Sequence, residues 1–213
     1  MDSASSVRRR GRPPKFPACG GEDTRERLIR AGLAMLTEKG YSAAGLEEIL
    51  RLAQVPKGSF YHYFASKEAF GLCLIDAYAR FFAAKLDRWL LDSATPPLQR
   101  LQNFVDDAAS GMAKYGFRRG CLVGNLGQEM SALPESFRAR LIAVFEDWQQ
   151  RTALCLQAAQ QQGELSATAD TDALAAFFWT GWEGAVLRAK LELQAAPLQR
   201  FAAGFRQMLP INV

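Results

Sequence analysis

Ten consecutive residues, from Val55 to Phe64, read Val-Pro-Lys-Gly-Ser-Phe-Tyr-His-Tyr-Phe. Their side chains suit contact with nucleic acid. Lys57 can neutralise a phosphate, while Ser59, Tyr61, His62 and Tyr63 carry polar tips for phosphate oxygens or base edges. Phe60 and Phe64 stand four apart, so on a helix they share one face and anchor it. Gly58 has no side chain, which lets such a helix approach a duplex closely. His62 is the sole histidine of the chain, so a multi-histidine metal site is excluded. Its place among phosphate-facing residues favours a plain hydrogen bond over a pH switch.

The elements that must position these residues precede them. Leu46, Ile49, Leu50 and Ala53 form an apolar stripe at i, i+3, i+4 and i+7, which predicts a short helix from Leu46 to Ala53. Gln54-Val55-Pro56 interrupts it. Pro56 disfavours helical geometry at Val55 and suits the first position of the next helix. Helix, three-residue turn and helix is the spacing of a helix-turn-helix, whose second helix enters a DNA major groove. The plainer alternative is an αα-hairpin with surface tyrosines. Upstream, Leu28, Gly32, Met35 and Leu36 mark the inner face of a first helix, and Gly40 suits the left-handed residue that ends one.

The run from Thr24 to Leu91 resembles the DNA-binding domain of the TetR family of bacterial transcriptional regulators. The resemblance rests on Arg25 to Gly32, Lys39-Gly40-Tyr41-Ser42, Leu46-Glu47-Glu48-Ile49, Val55 to Phe64 and Ser66-Lys67-Glu68-Ala69-Phe70, in order and spacing. It implies that Lys57, Tyr61, His62, Tyr63 and Lys67 touch phosphates. By the same resemblance Gly58, Ser59 and Tyr61 lie nearest the bases, and Ser42 contacts the DNA backbone. The implied partner is a double-stranded operator.

The chain has 213 residues with 26 basic and 22 acidic side chains, a net charge of +4. Arg8, Arg9, Arg10, Arg12 and Lys15 against Asp2 alone account for that excess, so the positive charge sits in an amino-terminal arm. Rich in Ser, Arg and Pro and without apolar periodicity, the arm is expected to be disordered alone. Its Arg10-Gly11-Arg12-Pro13 resembles an AT-hook core, and extended arginines fit a narrow A·T minor groove. A solvated basic tail giving only sequence-independent attraction is the alternative. No apolar segment follows the arginines, so the arm does not read as a secretory signal.

Cys19, Cys73, Cys121 and Cys155 are scattered without a Cys-x-x-Cys pair, so neither a zinc site nor a disulfide framework is indicated, and a cytoplasmic location fits. The longest apolar stretch, around Ala173 to Trp182, is too short to span a bilayer. Helical patterns continue at Ser66–Leu91, then to Tyr115, at Pro134–Gln162, Thr171–Leu191 and Pro197–Met208, with Gly116 to Gly127 as a connection. The expected fold is all-α. Its parts are a flexible arm over 1–22, a helix-turn-helix domain over 23–69, and a ligand-binding and dimerisation domain over 70–213.

The helix from Thr171 to Leu191 is apolar around most of its circumference, which demands burial on several sides. Gly181, Gly184 and Ala185 would admit a neighbouring helix. The resemblance implies a homodimer in which the last two long helices of each chain form a four-helix bundle; burial within one chain is the alternative. A two-fold dimer would suit a palindromic operator.

Gly116 to Gly127 lacks both nucleotide-loop signatures. Gly120-Cys121-Leu122, with Gly184 and Ala189-Lys190, resembles a TetR subgroup that senses reactive electrophiles. Gly116 to Ala132, with Trp182-Glu183-Gly184 and Arg188 to Leu193, is similar to acrylate-responsive members. Two effector mechanisms follow. Cys121 would be a thiolate, its pKa lowered by Lys190 or the nearby arginines, that reacts with hypochlorous acid, quinones or Michael acceptors. Alternatively Arg118, Arg119 or Lys190 would clamp a small carboxylate, with Phe117, Trp179 and Trp182 as apolar lining. A packing role for Cys121 is the bland third reading. A thiol-dependent enzyme lacks a histidine near Cys121, and an architectural DNA binder leaves the large apolar domain without a task. No catalytic group, metal or cofactor is called for.

Overall fold

The computed structural model describes residues 23–211, which form nine α-helices. No strand occurs among them, and Leu165 pairs with Ile211 in one isolated bridge. The all-α expectation holds. No helix among the described residues is long and apolar enough to cross a membrane.

Three helices build the amino-terminal unit: α1 (Thr24–Lys39), α2 (Leu46–Ala53) and α3 (Lys57–Tyr63). The Asp23 carboxylate caps α1 by accepting from Arg25 N–H. Gly40 ends α1 at φ 78° and ψ −173°, a positive-φ conformation that suits glycine but is not the left-handed one its sequence position implied. Gln54 takes the left-handed conformation at φ 54°, and Val55 N–H returns to the Leu50 carbonyl at 3.0 Å. That pair of events closes α2 and turns the chain. Pro56 is the extended residue before α3 rather than its first helical residue. Leu28, Leu36, Ile49 and Phe60 are all buried between the three helices.

Helix α4 (Lys67–Leu90) leaves this unit, capped by Ser66, whose hydroxyl accepts from Ala69 N–H at 3.0 Å. Its Phe70 packs on Phe64 at 4.6 Å and on Phe60 at 5.3 Å, tying the helix to α3. The body follows as α5 (Pro97–Ala113), α6 (Leu122–Gln128), α7 (Ser136–Gln161), α8 (Thr171–Glu192) and α9 (Ala196–Met208). Helix α6 corrects the reading of Gly116 to Gly127 as a connection between helices. Arg100 is buried and serves α4: its Nε donates to the Thr95 carbonyl and its Nη1 to the Leu90 carbonyl, at 2.7 and 3.1 Å. The Leu90 bond satisfies a carbonyl that the end of α4 leaves open, and the Thr95 bond ties down the turn that follows.

Helices α4, α7, α8 and α9 enclose an aromatic core. Trp148 lies 4.4 Å from Phe82 and 4.8 Å from Trp179 between ring centroids. A Cβ at Gly181 would come within 2.3 Å of Phe201 on α9. Gly181 therefore admits a helix of its own chain, not one of a second chain. Gly184 faces open space. Phe177, Leu187 and Leu191 of α8, with Leu154 of α7, stay exposed.

Candidate DNA-reading surface and effector cavity

Helix α3 divides its residues as their spacing required. Phe60 and Phe64 are buried, while Lys57, Gly58, Tyr61, His62 and Tyr63 are exposed and Ser59 half-exposed. A Cβ at Gly58 would meet nothing within 4 Å, so the bare backbone there serves no internal packing. Lys57 has only a 3.4 Å contact with exposed Glu47, which leaves it available to a phosphate. Lys67 is more committed: its Nζ donates to the Tyr41 carbonyl at 3.0 Å and sits 4.4 Å over the Tyr41 ring. Burial lowers its pKa. Ser42 is exposed beside it. Arg10 and Arg12, like the whole arm, lie outside the described residues.

A cavity of about 820 Å³ opens between this unit and the body. It extends from Arg27 and Ala53, past Tyr78 and Phe82 of α4 and Met112 of α5, to Cys121 and Trp182. Of the seven side chains expected at an effector site, Arg119, Cys121 and Trp182 line it. The other four sit elsewhere. Trp179 is buried in the aromatic core, its indole N–H donating to the Trp148 carbonyl and the Thr152 hydroxyl. Phe117, at φ 57°, packs against the core, and Arg118 is exposed. Lys190 lays its stem along Gly120. Arg119 is directed outward, stacking on Tyr115 at 4.1 Å and approaching Glu38 at 3.7 Å.

Cys121 is buried at the cavity wall and caps α6, its Sγ accepting from Gly124 N–H at 3.4 Å. The polar groups on its sulfur are the Glu183 carboxyl and the Tyr78 hydroxyl. Burial first, and Glu183 second, push the thiol well above its ordinary pKa. This overturns the expected cation-lowered thiolate: the neighbouring arginines point away, and the local charge has the opposite sign. Burial also lowers the pKa of Lys190.

Glu183 is the residue that sequence reasoning passed over. Its Oε1 is buried without a hydrogen-bond partner, and burial raises its pKa to about 7. Its Oε2 lies over Gly124, where a Cβ would come within 1.9 Å. Only glycine leaves room for the carboxyl at that place. The available signal was that Glu183 is the one charged residue between Asp172 and Arg188 on an apolar helix.

Helix α6 also fastens the cavity to the amino-terminal unit. Gly120 N–H donates to the Thr37 carbonyl at 2.9 Å. The Asn125 side-chain amide donates to the Leu36 and Thr37 carbonyls at 2.9 and 3.0 Å, at the end of α1. At the other end of α6, the Glu129 carboxylate accepts from Tyr41 N–H at 3.1 Å and Ser42 N–H at 2.8 Å. Among the described residues no cluster of His, Cys, Asp and Glu is arranged to hold a metal.

Comparison with known proteins agrees with this architecture. Residues 28–70 match the model for bacterial regulatory proteins of the tetR family, and residues 97–205 match the tetracyclin repressor-like C-terminal domain. The chain belongs to the TetR family. It is a DNA-binding transcriptional repressor of that family, built on a helix-turn-helix. This TetR-family chain is 59% identical to the transcriptional regulator AcuR of Cereibacter sphaeroides over 197 residues, covering 92% of the chain and 89% of AcuR. A crystal structure of a regulatory protein TetR from Rhodobacter sphaeroides is 60% identical and superposes with a TM-score of 0.86, covering 87% of this chain and 98% of that one. The reduced form of NemR from E. coli is 28% identical, with a TM-score of 0.79 over 89% of this chain and 98% of that one.

Proposed function

We propose that this repressor is released from a palindromic operator when acrylate, or another small α,β-unsaturated carbonyl compound, reaches Cys121. The observation that carries the reading is the position of Cys121. It lines the cavity and caps a helix that is hydrogen-bonded to the end of α1 and, through Glu129, to the turn bearing Ser42. A group added at the sulfur presses on α6, and α6 holds the DNA-binding unit. Shifting a repressor from mostly bound to mostly free takes roughly 5 kcal/mol of differential affinity. A covalent bond supplies that where weak contacts of a three-carbon ligand do not.

The reading divides the chain into an arm over 1–22, a DNA-binding unit over 23–69, and a sensing and dimerisation unit over 70–213. The exposed apolar residues Leu154, Phe177, Leu187 and Leu191 on α7 and α8 support a homodimer through these helices. Lys57, Gly58, Ser59, Tyr61, His62 and Tyr63 form the DNA contact, with Ser42 and Lys67 flanking it and Arg10 and Arg12 reaching the minor groove. The site of action is the cytoplasm, where the operator is. No cofactor or catalytic turnover is involved.

A second reading, reversible binding of a small carboxylate, is favoured by the raised pKa of the thiol, and it requires Lys85 or Arg119 to leave Asp107 or Glu38 for the ligand. Intact-mass measurement and gel shifts on an operator selected in vitro separate the two. Covalent sensing requires an adduct on Cys121 and loss of release in Cys121→Ser. Full release of that variant by acrylate, with no adduct on the parent, establishes the reversible reading instead.

A further inference from the structure

We propose that Glu183 is the general base that arms Cys121, taking its proton as the sulfur adds to the β-carbon of a small α,β-unsaturated carbonyl compound. This rests on the reading of Cys121 as the effector's target. It goes further by naming the group that makes a neutral thiol reactive and the charge state of the electrophile preferred.

Three features of the site converge. First, the thiol and the carboxyl meet over Gly124. That residue's N–H donates to Cys121 Sγ, and its missing Cβ is the space that Glu183 Oε2 occupies. Second, Glu183 Oε1 is buried with no partner. A buried carboxyl oxygen left open is costly, and native structures keep few such atoms without a role. Third, the sulfur has no cation to hold it as a thiolate. Three of the four cations lining the cavity are committed elsewhere: Lys85 to Asp107 at 2.7 Å, Arg119 to Glu38 and Tyr115, and Arg27 to the Gln54 carbonyl at 2.9 Å; none of the four is among the groups acting on the sulfur. With no preformed thiolate, addition needs a base at the moment of attack.

The step balances within the site. Glu183 accepts the thiol proton while the sulfur forms a bond to the β-carbon. The π electrons of the carbon–carbon double bond move onto the α-carbon and carbonyl as an enolate. Glu183 then returns the proton to the α-carbon. The product is a thioether, nothing is oxidised or reduced, and Glu183 ends as it began. The Tyr78 hydroxyl on the sulfur stabilises charge as it develops there. The titratable groups at the sulfur are acidic, namely Glu183 and Tyr78. Once Glu183 is ionised, its charge slows the approach of acrylate itself, and an uncharged relative of similar size is expected to react faster.

The test uses the full chain and acrylamide as the probe. Alkylation is followed by intact mass, with peptide mapping to separate Cys121 from Cys19, Cys73 and Cys155. The wild-type rate at Cys121 is expected to rise as pH passes through about 7, where burial places the Glu183 titration. In Glu183→Gln, which keeps the side chain's shape, the rate is expected to fall by at least about tenfold and lose that limb. An unchanged rate and profile in the variant overturns the role of Glu183 while leaving Cys121 as the target. No adduct on wild-type Cys121 overturns both readings. If the variant does not fold, the wild-type profile decides: a rate flat through pH 7 overturns the proposal.

Discussion

Cys121 and Glu129 cap opposite ends of the same short helix. One end faces the cavity and the other holds the turn at Tyr41 and Ser42. Whatever displaces Cys121 along the axis of α6 is delivered to the backbone beside the DNA-reading unit. Helix α4 joins the same two regions over a longer path. The α6 route is shorter and consists of hydrogen bonds that can be removed one at a time.

Glu129→Gln tests that route. A carboxylate accepts both turn N–H groups, while an amide presents one donor to them and opposes one bond. Hydrogen bonds to charged groups contribute about 1.5–3 kcal/mol. The variant is expected to show faster amide exchange at Tyr41 and Ser42. Its effector-induced change in operator affinity should shrink at least about fivefold. Undiminished release would show that α6 is not the transmitting element.

Gly58→Ala separates contact with DNA from folding. Nothing in the protein opposes the added methyl, and alanine favours a helix over glycine by up to about 1 kcal/mol. Thermal unfolding should be unchanged or slightly raised. Operator affinity, read by fluorescence anisotropy, should fall roughly tenfold, the scale of one lost base contact. Unaltered affinity would mean that this face does not meet the duplex closely.

Glu183→Gln also predicts a pH signature in stability. The carboxyl titrates near 4.5 ordinarily and about 7 when buried. As pH rises from about 4.5, the unfolded chain ionises first, so the folded state loses stability until about pH 7 and holds the deficit above it. The deficit is on the order of 3 kcal/mol. The glutamine variant lacks it. It should melt above the wild type at pH 8 and match it near pH 4.5. A variant that is less stable at pH 8 would contradict the cost assigned to this carboxylate.

Arg100→Ala is expected to be the most damaging of these changes to stability. It opens the buried Leu90 carbonyl and the half-buried Thr95 carbonyl at once. The cost should be about 2–4 kcal/mol, seen as a fall in Tm of several degrees, with operator affinity of the folded protein unaffected. A shift of under about 1 °C would show that water replaces the guanidinium.

The long helices were readable because their apolar spacing is strong and their ends carry chemical marks: Ser66 before α4 and Gly40 after α1. Helix α3 was readable for the same reason, since Phe60 and Phe64 sort its faces. Helix α6 was not. Its seven residues include Gly124 and Gly127, and it is held by Asn125 and Glu129 bonding to residues more than eighty positions away. The candidate cavity site was half legible. Cys121 stands out in a glycine-rich run, but adjacency to Arg118 and Arg119 misled, because neighbours in a turn point in different directions. Glu183 acquires its meaning only when α8 is laid against α6.

The breadth of the cavity has a consequence for what such a sensor measures. Acrylate, with its handful of non-hydrogen atoms, fills a small part of about 820 Å³ and leaves most walls untouched. Shape cannot then select it, and the discriminating quantity becomes the rate at which a compound bonds to sulfur. A repressor that operates this way is a dosimeter. It records accumulated exposure, is not reset by dilution, and regains its hold on DNA only as fresh protein is made.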